Sequence, residues 1–263
     1  MLDENITSAV DLILMTVSDS RLKCLLKKRT EEPFINCWAM PGGIVRAEED
    51  LDAAAERQLN EQTHLIRKTY FRQLYTFGNA DRDPRGRIVT TVYLSMAPES
   101  NIRVYPEQLD TAWFTIKRTV LKTTARSRES ILTLDAEDLN IGMQYRITDT
   151  ANQTYTQTRS SLMKASSCAL AFAHIKAINM ALDMVQNRAA ATGILFNLLP
   201  EETTLREIQT VYEAVQGEKT DTGNFRRDIV RMLKKTENRK TVNGKSAALY
   251  RFNPMYQYLK ENL

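Results

Sequence analysis

Short apolar runs separated by turn residues dominate the first hundred positions of the chain. Residues 9–17 (AVDLILMTV) and 21–28 (RLKCLLKK) suit β-strands. The Ser18-Asp19-Ser20 link between them has a turn composition, so the pair predicts a hairpin. Residues 70–78 (YFRQLYTFG) and 87–96 (RIVTTVYLSM) read as two more strands around the polar loop 79–86, and Ala112-Trp113-Phe114-Thr115 marks another. One helix is expected between these pairs, after the Pro41-Gly42-Gly43 turn. From 118 to 165 the pattern blurs. MQYRITDT and TYTQTRSS alternate and are rich in threonine, which predicts one or two extra hairpins in an insertion with no chemistry of its own. Residues 169–187 then show helical spacing, with Leu170, His174, Ile178 and Ala181 on one side. A histidine on such a face reads as a satisfied packing residue rather than a ligand.

Residues 195–263 are expected to form a separate unit. Thr204-Leu205-Arg206-Glu207 spells a capping box, in which the threonine hydroxyl and the glutamate carboxylate satisfy opposite backbone N–H groups. Leu205, Ile208, Val211, Tyr212 and Val215 give the helix an apolar face, and Gly217 stops it. Phe225, Ile229, Met232 and Leu233 line a second helix, with Asn224, Arg227, Arg231 and Lys234 on its opposite face. A basic hairpin follows, Arg239-Lys240-Thr241-Val242-Asn243-Gly244-Lys245-Ser246 running into Ala248-Leu249-Tyr250-Arg251-Phe252. Helix, turn, basic helix and hairpin is the order of a winged helix-turn-helix.

Charge sharpens this picture. Residues 219–251 hold ten bases and three acids, a local +7, so the rest of the chain carries −3 of the net +4. A near-neutral body with a basic end points to a polyanionic partner there. Each local feature has an ordinary explanation, a solvated helix face or a lysine-rich surface hairpin. Their combination on the helix in the recognition position and on the adjacent wing favours DNA, with Arg226, Arg239, Lys240 and Lys245 joining the helix residues.

At 263 residues, 43% hydrophobic and 26% charged, the chain fits two globular units, 1–190 and 195–263. It has no 18-residue apolar run and opens Met1-Leu2-Asp3-Glu4, so no membrane contact and a cytoplasmic location are expected. Cys24, Cys37 and Cys168 lack ligand spacing and read as reduced thiols, and His64 and His174 are the only histidines. A histidine metal site or a Ser-His-Asp triad has almost no material.

The densest motif is GIVRAEEDLDAAAERQLNEQTHL at 43–65, preceded by Trp38-Ala39-Met40-Pro41-Gly42. It resembles the Nudix box, G-x5-E-x7-R-E-U-x-E-E-x-G-U with U a bulky aliphatic. Gly43, Glu49, Arg57, Leu59, Glu61 and Leu65 match; Gln58, Gln62 and His64 replace Glu, Glu and Gly. In the family those carboxylates share a helix face and hold Mg²⁺ against a diphosphate. Two neutral amides remove much of that anchor, and with it the Lewis acid and the activated water. The box is therefore expected to be vestigial at Glu49, Arg57, Gln58, Glu61 and Gln62.

A degenerate Nudix domain followed by a winged helix resembles the Nudix-related transcriptional regulators of bacterial NAD metabolism, the NrtR family. CWAMPGGIV (37–45), QLYTFGNADRDPRGRIVT (73–90), LAFAHIKAI (170–178) and ILFNLLPEETTLREIQTVYEAVQGEKTDTGNFRRDIVRM (194–232) carry the resemblance. It implies an α+β chain, a Nudix-type α/β/α sandwich followed by the winged helix. It further implies a homodimer, an ADP-ribose-like effector in the old catalytic cleft, and repression of NAD-biosynthesis or salvage genes. No cofactor is expected, with weak Mg²⁺ binding only if the box hydrolyses. Sugar-sensing relatives share the architecture. The DRDPRG loop suits the effector: Arg82 and Arg85 flank a turn and would clamp a diphosphate, with Asp83 orienting one of them or accepting from a ribose hydroxyl. An ordinary Asp-Pro surface turn explains the same residues. Glu61 and, by family analogy alone, Arg29 complete the expected effector set. The competing function is a hydrolase of ADP-ribose or a related nucleoside diphosphate, using Glu61 with Glu49 or Glu56.

Overall fold

The computed structural model describes residues 6–63, 70–102, 110–153 and 155–256. Box positions His64 and Leu65 lie outside these residues. β1 (Thr7–Ser18) and β2 (Arg21–Lys28) form the expected hairpin, with Ser18 opposite Arg21. Asp19 and Ser20 have φ of 52° and 58°, the left-handed pair whose twist matches a two-residue hairpin. β3 (Trp38–Ala39) pairs with β2 and β4 (Gly42–Ile44) with β1, and helix α1 (Leu51–Thr63) follows. Asp50 caps α1, its carboxylate accepting from the Ala53 N–H at 2.8 Å. β5 (Tyr70–Phe77) and β6 (Ile88–Met96) complete one side, β6 running parallel to β1.

β1 shows why the apolar run is almost unbroken. Val10, Leu12 and Leu14 pack with Ala54, Ala55 and Leu59 of α1. Ile13 and Met15 point the other way, into a core shared with Ile178, Ala181 and Val185 of α2 (His174–Ala189). A strand covered on both faces has no solvated side to make polar. The α/β/α sandwich is present.

The extra hairpins expected over residues 118–165 are present. β7 (Thr111–Thr123), β8 (Ser127–Ala136), β9 (Ile141–Ala151) and β10 (Thr156–Leu162) continue the main sheet as an antiparallel meander, in the order β10-β9-β8-β7-β2-β1-β6-β5. The second helix of the sandwich starts at His174, not at 169. Before it, the Ala171 N–H donates to the Trp38 carbonyl at 2.7 Å and the Leu170 N–H to Tyr145 Oη at 2.7 Å, so these amides are committed to neighbours rather than to a helix.

The winged helix has its expected order: α3 (Leu205–Gln216), α4 (Thr222–Ile229), β11 (Leu233–Val242) and β12 (Lys245–Phe252). Both halves of the capping box form, and Gly217 ends α3 at φ 78°. The recognition helix is shorter than expected. Arg231 sits in a 3-10 turn (Val230–Met232), and Lys234 is already the second residue of β11, opposite Arg251. The ladder claims these residues before the helix can continue.

This unit packs against the body. Ile208, Val211, Val215, Phe225, Ile229 and Met232 belong to the same buried cluster as the sheet and α2. At the junction Phe252 stacks on Phe196 with centroids 4.8 Å apart. A Cβ on Gly193 would lie 2.4 Å from the Phe252 ring, so glycine there lets the last strand close on the body. Among the described residues no helix is long and apolar enough to cross a membrane.

Candidate effector cleft and DNA interface

The box residues fold into an ion-paired staple. Arg57 donates Nε to Glu49 Oε2 at 2.9 Å and Nη2 to Glu49 Oε1 at 2.5 Å, and reaches the Ile44 carbonyl at 3.2 Å. The Arg46 N–H adds a third donor to Glu49 at 2.8 Å. Arg57 beside it, then Arg46, hold the Glu49 carboxyl down at about 2. Glu61 lies 3.5 Å from Arg57 and 4.0 Å from Arg46. Gln58 is buried. With its amide oxygen turned to Arg57 Nη1 (2.7 Å) and its nitrogen to the Gly42 carbonyl (3.1 Å), both ends are satisfied. Gln62 is half-buried near the helix end.

Mg²⁺ wants several oxygen ligands with carboxylate charge. Here Glu49 is spent on Arg57, Glu61 is shared between two arginines, and Gln58 is a neutral amide tied to the backbone. Among the described residues no three His, Cys, Asp or Glu side chains are grouped to hold a metal ion. These residues do not fit a Mg²⁺ centre.

The DRDPRG loop divides its arginines. Asp83, with its side chain 2% exposed, accepts from the Arg85 backbone N–H at 3.0 Å, Nε at 2.9 Å and Nη2 at 2.7 Å. Burial works against the Asp83 charge, but the Arg85 hydrogen bonds outweigh it and its pKa falls below the ordinary value. Asp83 thus orients Arg85. Arg82 does not pair with Arg85 as a clamp: it turns inward to Thr90 Oγ1 and the Ile88 carbonyl. The expected two-arginine clamp at this turn is corrected on that ground.

A different pair of arginines converges. The guanidinium carbons of Arg29 and Arg85 lie 5.1 and 5.5 Å from the centre of the Phe172 ring. Phe34 meets the same ring edge-on at 4.8 Å. Arg29 is steadied by the Pro33 carbonyl at 2.7 Å. Phe172 is half-buried with φ 51°, a conformation costly for an aromatic residue and concentrated at functional sites. Two residues on, His174 is buried; its Nδ1 accepts from the Met40 N–H at 2.9 Å and its Nε2 faces Asp11 at 3.3 Å. Its packing role holds, and it also ties α2 to the cleft. Asp11 is opposite Gly42, whose carbonyl meets Gln58, so cleft and box join at the β1–β4 pair. Two cations around an aromatic ring suit a phosphorylated ligand carrying a planar group. Phe34, Phe172 and Asp11 escaped the sequence reading. The LAFAHIKAI segment contained Phe172, but its apolar pattern does not separate a cleft residue from core.

On the winged helix, Asn224, Arg226, Arg227, Arg231, Lys234, Arg239, Lys240 and Lys245 are all exposed. Arg227 has only a loose contact with Asp228 at 3.5 Å. Lys245 flanks the Asn243-Gly244 turn at the wing tip, where φ is 51° and 73°. Lys240 is not free: its Nζ donates to Glu207 Oε1 at 2.6 Å. Glu207 also accepts from Thr203, the Thr204 N–H and the Thr204 hydroxyl. Burial raises the Glu207 pKa, but Lys240 and the Thr204 donors outweigh it and bring it to about 2.

The family model of the NUDIX domain matches residues 6–134, and that of the NrtR DNA-binding winged helix domain matches 195–252. The ADPR responsive transcriptional repressor NtrR of Acinetobacter baylyi is 29% identical over 251 residues, spanning 92% of this chain and 80% of that protein. The crystal structure of Shewanella oneidensis NrtR complexed with a 27mer DNA superposes with a TM-score of 0.67 at 25% identity, covering 95% of each chain. An ADP-ribose pyrophosphatase of Methanocaldococcus jannaschii is 40% identical over 72 residues, 27% of this chain and 42% of that enzyme. A Nudix domain whose carboxylates are paired away, carried on the same core as an NrtR winged helix, places the chain in the Nudix-related NrtR family of regulators.

Proposed function

We propose that the chain is a DNA-binding transcriptional repressor of NAD-metabolism-type genes whose affinity for its operator is set by ADP-ribose or a related nucleotide. Residues 1–190 form the effector unit and 195–263 the DNA-binding unit. It acts in the cytoplasm as a homodimer on a palindromic operator, without a metal cofactor, and half-sites are expected roughly 10 bp apart or a multiple of that. The NrtR winged-helix match, with its exposed basic helix and wing, carries this reading. The effector sits against Phe172, with Arg29 and Arg85 on its diphosphate; Glu61 lies at the neighbouring box.

The pyrophosphatase likeness favours a hydrolase as second reading. Gln58, Gln62 and the Arg57-bound Glu49 weigh against it. A gel-shift series on DNA upstream of the chain's own gene cluster, with and without ADP-ribose, separates the two. The regulator retains DNA, and ADP-ribose changes that retention. No retention at low salt, where even non-specific binders hold on, overturns the regulator.

A further inference from the structure

α2 is the element that reaches both functional regions. Its first residue, His174, is hydrogen-bonded in the cleft two positions after Phe172. Its last turns lie against α3. Sixteen residues make a rod about 24 Å long at 1.5 Å per residue. Apolar packing joins this rod to α3, but such contacts are non-directional and permit sliding. Directed contacts are few, and they meet at Gln186.

The Gln186 side-chain oxygen accepts from Arg118 Nη1 at 3.0 Å, and its nitrogen donates to the Val215 carbonyl at 2.9 Å. Its backbone carbonyl accepts from Gln216 Nε2 at 3.0 Å. One residue of α2 thus touches the sheet through β7 and the end of α3 twice. Arg118, with its side chain 4% exposed, also donates to Asp183 and Asn179 of α2 at 2.6 Å each, which fixes α2 against the sheet. Beyond Gln216, the turn to the recognition helix is held to α3 by Gln209, whose amide reaches the Thr220 carbonyl and the Thr222 hydroxyl. A displacement of α3 therefore carries α4 with it.

We infer that Gln186, with Gln216, is the positioning residue through which the cleft sets the seat of the winged helix, α2 acting as the rod between them. The inference rests on the effector-regulated DNA binding proposed above. A ligand against Phe172 acts on the first turn of α2, and the Gln186 bonds pass any shift to α3 in register. Distance alone does not establish coupling; a change in the coupling factor when these bonds are removed does.

The experiment uses the full chain and fluorescence anisotropy on promoter DNA, with and without saturating ADP-ribose. The ratio of the two DNA dissociation constants is the coupling factor, expected within the usual range of about 5–150-fold for the unmodified protein. Gln186→Met with Gln216→Met keeps volume and removes the bonds; the ratio should fall to within about twofold of unity while DNA still binds without ligand. Thr236→Val breaks a bond only inside the wing, the Thr236 hydroxyl donating to the Leu249 carbonyl at 3.2 Å, and should leave the ratio unchanged, which separates coupling from general loosening. If the double variant does not fold, Gln186→Glu serves. It keeps the acceptor for Arg118, loses the donor to Val215, and should lower the ratio as well. An unmodified ratio retained in these variants overturns the inference alone. A ratio of unity in the unmodified chain, or no DNA binding, overturns the functional reading and this inference with it.

Discussion

Three glycines form a graded test of how closely the chain approaches itself. A Cβ on Gly42 would lie 2.4 Å from the Val10 carbonyl oxygen and 2.4 Å from Asp11 Oδ1. The first is backbone and cannot swing away, so β4 and β1 must separate. A Cβ on Gly43 would meet the end of the Gln58 amide group at 2.6 Å, a side chain that can yield at the cost of its bonds to Arg57 and Gly42. A Cβ on Gly78 meets nothing within 4 Å. None of the three has a left-handed φ, so crowding alone ranks them. Overpacking costs about 1–3 kcal/mol, offset in part by the roughly 0.4–1 kcal/mol that alanine removes from the unfolded state's freedom. Gly42→Ala should cost about 1–3 kcal/mol, Gly43→Ala about 1, and Gly78→Ala nothing or a small gain. At roughly 2–4 °C per kcal/mol for chains of this size, melting followed by circular dichroism resolves the order. Gly42→Ala should also weaken ADP-ribose binding, because it displaces Asp11 and with it His174. If Gly42→Ala melts with the unmodified protein, or Gly78→Ala costs more than Gly43→Ala, the close-approach reasoning fails.

In calorimetry, Arg85→Ala and Phe172→Leu should each weaken ADP-ribose; binding that survives both moves the effector elsewhere or makes it a sugar. Incubation with ADP-ribose and Mg²⁺ should give little AMP, and turnover at about 1–10³ s⁻¹ would restore the hydrolase. Lys245→Ala should flatten the salt dependence of DNA binding by about one unit of slope, and Lys240→Ala by less, since Glu207 already holds its ammonium. Arg227→Ala or Arg231→Ala should instead relax sequence preference by about 1–3 kcal/mol. The Glu207 pKa is depressed in the fold from 4.5 to about 2, so its stabilisation is complete above 4.5 and lost as pH falls towards 2. Glu207→Gln should flatten the melting-temperature profile across that window; parallel profiles refute the ion pair's role.

The sequence made local features legible and long-range ones not. The hairpin at Asp19-Ser20, the box helix, the capping box at Thr204 and the stop at Gly217 each follow from a few adjacent residues, and each is present. β7 to β10 alternated visibly, but no local pattern says that such strands extend an existing sheet. The start of α2 was misplaced because Trp38, more than a hundred positions away, takes the backbone around Leu170. Lys234 looked helical by spacing, and its partner Arg251 was out of sight. At the cleft, Arg85 was named from charge and turn geometry and Arg29 from the family resemblance alone, whereas Phe172 was hidden by its apolar company. Arg82 was overcounted for a related reason: charge alone does not tell an arginine facing ligand from one buried against Thr90.

The shared core decides what the chain can be divided into. Ile208, Val211 and Val215 of α3 are buried in the same cluster as Ile178, Ala181 and Val185 of α2. A cut between 190 and 195 would therefore leave two halves, each with a bared apolar face of the kind that drives aggregation. The junction is packed as interior, so one cooperative melting step rather than two is expected. A nucleotide that binds only the native cleft then protects the recognition helix as well, by about 2.7 kcal/mol when present at a hundred times its dissociation constant. On the proposed reading, effector supply would set how long each copy stays folded as well as whether it holds DNA.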